Sequence, residues 1–121
     1  MSYKIVRSTF IKGEEIFKSL TMSLFRGGVV YEVGKPTRPL PDCGPLAAFE
    51  TLRDVEEFKR LRGWTHEPVF RCRIKKEIKK DNLFITADGK IEQLFGGLPP
   101  GTILCKEITL IRLIRKEEKH E

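Results

Sequence analysis

Residues 69–80 read VFRCRIKKEIKK. From Val69 to Lys75 the apolar Phe70, Cys72 and Ile74 alternate with Arg71, Arg73 and Lys75. A period of two sends successive side chains to opposite faces of an extended chain, so the stretch is expected to be a strand with one apolar and one cationic face. A helix would scatter the same cations around its circumference. Lys76, Lys79 and Lys80 carry the positive charge further along the chain. These six cations, Arg71, Arg73, Lys75, Lys76, Lys79 and Lys80, form the candidate anion-binding set. The same pattern also suits a solvated face whose charges keep a sheet edge from pairing with other chains.

Upstream, residues 51–62 have helical spacing. Thr51 is a suitable N-cap for the amide of Asp54, and Asp54 sits in the first turn where acids are favoured. Leu52, Val55, Phe58 and Leu61 are expected on one buried stripe, with Arg53, Glu57 and Arg60 in water. Gly63 should end the helix, after Lys59, Arg60 and Arg62 in the turn that suits cations.

The remaining apolar runs favour strands. Residues 3–7 are a short first strand, and residues 12–17 a helical turn or a loop. Leu20, Met22 and Leu24 alternate with Thr21, Ser23 and Phe25 up to Arg26-Gly27-Gly28, and Val29 to Val33 returns, which predicts a hairpin. The segment GKPTRPLPDCGP (34–45) has four prolines, each without a backbone donor, so it belongs on the surface or at a sheet edge. Residues 46–49 are a short strand. Residues 83–86 and 90–95 predict a second hairpin around Ala87-Asp88-Gly89, and GGLPPG (96–101) a loop. Residues 102–114 are a long β-branched strand covered on both faces. The expected fold is therefore α+β, in one domain spanning 1–121. It has a strongly twisted, mostly antiparallel sheet or half-open barrel of about seven strands and one amphipathic helix, with a frayed tail over 115–121.

Two resemblances accompany this reading. Tyr31-x-Val33-Gly34-Lys35, the proline-rich stretch, and GPLAAFETL (44–52) running into the helix resemble small uncharacterised domains of phages and prokaryotes. Pro100-Gly101-Thr102 before an apolar strand fits the same pattern. That resemblance implies no biochemical role. The order of elements is also similar to compact ADP-ribosyltransferase-like domains. This second likeness implies an early arginine or histidine, an aromatic or serine, and a late acid, places taken here by Arg7, Tyr31 and Glu107. The sequence patterns of the transferases are absent.

Charge narrows the class of partner. Lys and Arg total 23 against 17 Asp and Glu, a net +6, which favours anionic partners. Asn82 and Gln93 are the only side-chain amides, a bias found in proteins that work hot. Cys43, Cys72 and Cys105 make an odd count with no CxxC spacing, which points to free thiols in the cytoplasm. A Cys72–Cys105 bridge stays open. No apolar run is long enough for a membrane span or a signal peptide.

No catalytic residue, metal or cofactor is assigned. Cys43 and His66 have nothing local to join them, and His66 and His120 are isolated. Tyr31, Gly34, Lys35 and Arg38 are the candidate cleft, an anion or nucleotide pocket beside the two glycine-proline loops. The leading expectation is a small basic binding protein that contacts nucleic acid through the strand face. The alternatives are a compact transferase-like enzyme or nucleotide-binding domain, and a protein that self-associates, as a homodimer, through an open sheet edge.

Overall fold

The computed structural model describes residues 2–20, 28–40, 45–63, 66–78, 83–85, 91–93 and 101–114. Residues 21–27 of the 19–33 hairpin, Cys43, Trp64, Lys79, Lys80, the 87–89 turn, most of GGLPPG and the tail lie outside them.

Four antiparallel strands form a ring. β1 (Ser2–Ile5) pairs with both β6 (Leu46–Phe49) and β7 (Val69–Ile78). β10 (Thr102–Leu113) pairs with the same two strands, closing the circuit. β5 (Pro36–Thr37) adds to β10 as an edge, where its proline needs no ladder partner. The result is α+β and antiparallel, with a partly closed barrel.

A three-stranded sheet of β2 (Arg7–Ile11), β3 (Glu14–Lys18) and β4 (Val30–Tyr31) follows from the hairpin closed by Lys12 and Gly13. Both turn residues have positive φ, 53° and 82°, as a two-residue turn with the right twist demands. Residues 12–17 are therefore a two-residue turn running into β3 rather than a helical turn or a longer loop. The glycine at the tip is the signal that identifies the turn. β4 pairs with β3, and Ser19 bonds the backbone of Val29 just beyond it. β8 (Leu83–Ile85) and β9 (Ile91–Gln93) pair with each other. The described strands thus number ten rather than about seven, because β2, β3 and the edge strand β5 form in stretches not read as strands of their own.

The helix α1 (Leu52–Arg62) has the expected ends. Thr51 Oγ1 accepts from the Asp54 amide at 3.1 Å, and Gly63 adopts the left-handed conformation with φ 72°. Replacing Thr51 by alanine should cost about 1 kcal/mol in a urea melt. An unchanged midpoint would mean that the cap contributes nothing.

The buried stripe differs from expectation at one end. Val55 is buried, Leu52 and Phe58 pack partly, but Leu61 is 65% exposed. Three successive three-residue steps fall short of whole turns by about 60° each, so Leu61 lies opposite Leu52 on the helix. Lys59, four residues beyond Val55, takes the buried place. Its ammonium donates to the Glu67 carbonyl at 2.7 Å.

Two clusters make the core. One, inside the ring, includes Val6, Tyr31, Phe70, Cys72, Ile108 and Leu110, with Phe17 meeting Phe70 edge-on at 4.9 Å. The other, under the helix, joins Ile5, Phe49, Val55, Val69 and Ile114.

Candidate anion-binding surface

β7 is a strand as the alternation requires, with Phe70 and Cys72 buried and Ile74 half-buried. Val69, Arg71, Arg73 and Lys75 share the opposite face, and their exposure rises along it. Val69 is buried in the helix-side cluster, Arg71 is half-buried, and Arg73 and Lys75 are exposed. The helix-side cluster takes in Val69 and no later residue of β7. Arg71 sits at its rim, where Nε has no hydrogen-bond partner among the described residues. Lys76 is exposed with φ 58°, which interrupts the alternation there.

The ladder assembles more of this face than one strand can show. Arg112 lies opposite Arg71, Thr109 opposite Arg73 and Glu107 opposite Lys75. Residues opposite one another share a face, so β10 contributes one cation, one hydroxyl and one carboxylate to it. Glu107 is 6% exposed as a residue. Its Oε1 accepts from Arg38 Nε at 3.0 Å and its Oε2 lies 3.8 Å from Lys75 Nζ. Both cations remain about two-thirds or more in solvent, at 73% and 66% of their side chains. One buried carboxylate thus anchors two exposed cations, Lys75 on β7 and Arg38 just past the end of β5. Arg112 and Glu107 could not be placed on this face from the sequence because they lie 41 and 32 residues from their partners Arg71 and Lys75, and their own strand carries apolar residues on both faces.

The cleft set separates. Lys35 and Arg38 line an open groove of about 570 Å³ with Val30, Glu32 and Leu40. Lys35 is paired with Glu32 at 2.9 Å, and both are exposed. Tyr31 is instead 2% exposed inside the ring, and burial raises its hydroxyl well above the ordinary range. Gly34, with φ 84°, spends its amide on the Leu110 carbonyl at 2.8 Å, so it offers no donor to an anion. Arg38 therefore links groove and strand face, while Tyr31 and Gly34 serve the fold.

Of the transferase-like set, Arg7 is exposed on β2, Tyr31 lies in the core, and Glu107 is committed to Arg38 and Lys75. Cys72 and Cys105 are free, buried thiols, pushed up to about 12 and about 11 by desolvation. Thiols so displaced carry almost no thiolate near neutrality. His66 is exposed.

No protein-family model, curated protein or solved structure matches this chain. The surface has to be interpreted from its own chemistry.

Proposed function

We propose that this chain is a small binding protein that takes the phosphates of a nucleic acid on the outer face of β5, β10 and β7. The observation that carries the reading is the row on one strand of half-buried Arg71 and exposed Arg73 and Lys75, with Arg38 held beside Lys75 by Glu107. Such a row neutralises phosphates and positions a backbone without reading bases. The interior place of Phe70 leaves the row without a stacking platform from its own strand, which favours backbone contact over base contact.

Binding should therefore be sequence-indifferent and steeply salt-dependent. Three or four phosphate contacts give a log–log slope of about −2 to −4 for single or double strands. Arg73→Ala and Lys75→Ala should each weaken binding of labelled DNA or RNA and reduce the slope by about one. Fluorescence anisotropy at rising salt measures both. No retained nucleic acid at low ionic strength, or variants indistinguishable from the parent, would remove the reading.

A further inference from the structure

The three-stranded sheet ends in an arm. β2 is its outermost strand and pairs only with β3 among the described residues. From Phe10 to Glu15, around the turn, every residue is exposed. Two of them are large and apolar: Phe10 at 69% and Ile11 at 51%. Adjacent residues of a strand point to opposite faces, so this arm presents an uncovered apolar group on each side.

The free edge of β2 also lacks the devices that usually guard an edge. Between Ser8 and Ile11 there is no proline, no lysine and no charge, and its register with β3 runs without a bulge from Arg7 to Ile11. Its backbone is a template for one more strand.

We infer that the missing strand is β2 of a second copy, antiparallel about a two-fold axis at Thr9. The edge is self-complementary. In a two-fold antiparallel pair of residues 7–11, only the register centred on Thr9 uses all five. It sets Thr9 against the partner's Thr9, Ser8 against the partner's Phe10, and Arg7 against the partner's Ile11. On one face the two phenylalanines become diagonal neighbours, within reach of aromatic rings. On the other, Ile11 is flanked by Glu14 of its own β3 and by the partner's Arg7. A cation and a carboxylate thus close over the same isoleucine, once at each end of the interface. No like charges meet in the pairing. Two three-stranded sheets become one of six strands, and both exposed edges disappear.

The register has a direct chemical test. Opposed residues of an antiparallel pair have Cα atoms about 4.5–5.5 Å apart, inside the range a disulfide spans. Thr9→Cys, in a background with Cys43→Ser, should form a covalent dimer under mild oxidation. Cys72 and Cys105 are buried and do not compete. Lys35→Cys, exposed in the groove, should stay monomeric under the same conditions. By analytical ultracentrifugation the unmodified chain should dimerise with concentration. Arg7→Glu should weaken that dimer about tenfold, and Arg7→Glu with Glu14→Arg should restore it. Both side chains are exposed, so circular dichroism should confirm that the variants fold. A chain monomeric at every concentration, a Thr9→Cys variant that does not cross-link, or a dimer indifferent to the charge exchange would each overturn the inference.

Discussion

Replacing Lys4 by methionine should stabilise the fold at pH 7 by about 2 kcal/mol, although it removes a hydrogen bond. Lys4 is only half-buried as a residue, yet its ammonium is enclosed. It donates to the Ala47 carbonyl at 2.6 Å and lies 5.5 Å from the centre of the Tyr31 ring. Desolvation lowers its pKa to about 8. In the unfolded chain it titrates near its ordinary 10.5. Below pH 8 both states keep the proton, and the native state bears the whole cost of enclosing the charge. Between 8 and 10.5 the native chain has given up a proton that the unfolded chain still holds, so Lys4 makes stability rise with pH. Because part of the side chain keeps contact with water, the gain is set below the value the full displacement would give.

Two other groups limit that rise. Cys72 and Cys105 titrate near 12 and 11 in the fold against an ordinary 9. Above pH 9 the native state keeps protons that the unfolded state loses, and stability falls. Tyr31, raised by its burial, acts in the same direction at still higher pH. Stability should therefore climb between about pH 8 and 9 and decline beyond. In Lys4→Met the climb should vanish while the decline remains. Urea melts across this range decide the matter. A methionine variant less stable than the parent at pH 7, or one that keeps the climb, would show that the ammonium is better hydrated than its surroundings indicate.

Gly101→Ala should destabilise the fold by about 2–4 kcal/mol. Gly101 immediately precedes β10 with φ 79°, a region that costs an alanine about 1–2 kcal/mol. A Cβ there would also overlap the side chain of Asp54. The overlap reaches Asp54 Cβ, so rotating the carboxyl away does not clear it. That side chain is itself held by the Thr51 hydroxyl at 2.7 Å. The close approach exists because the Gly101 carbonyl accepts from the Glu50 amide at 2.8 Å, drawing the start of β10 against the start of the helix. Adding Asp54→Ala to the variant should recover only part of the loss. A Gly101→Ala melt within 0.5 kcal/mol of the parent, about the scatter of surface substitutions, would mean that the turn relaxes freely.

The glycine of Pro100-Gly101-Thr102 was visible in the sequence as turn chemistry. Its partner was not, because Asp54 is 47 residues away and nothing in either segment announces the other. The strand face shows the same division. Alternation alone set the cations of residues 69–75 on the side away from Phe70 and Cys72, and a shift by one residue would have exposed the core. The burial of Val69, the half-burial of Arg71 and the membership of Glu107 depend on what covers or flanks β7. Tyr31 illustrates the limit most clearly. It stands between exposed Val30 and Glu32 in a loop-rich stretch, and only its pairing with Phe17 draws it into the ring.

Local periodicity determined the strand at 69–75, the helix over 52–62 with its two caps, the short strand at 46–49 and the long one from 102. Each of these is written in the spacing of side chains along a few turns or pleats. Tertiary structure alone decided that β1 and β10 each pair with both β6 and β7, that Lys4 points among thiols, and that one carboxylate anchors Arg38 and Lys75. Closing a ring and choosing a register join segments far apart in the chain, and the free energy that selects them comes from burial shared between segments rather than from any one of them.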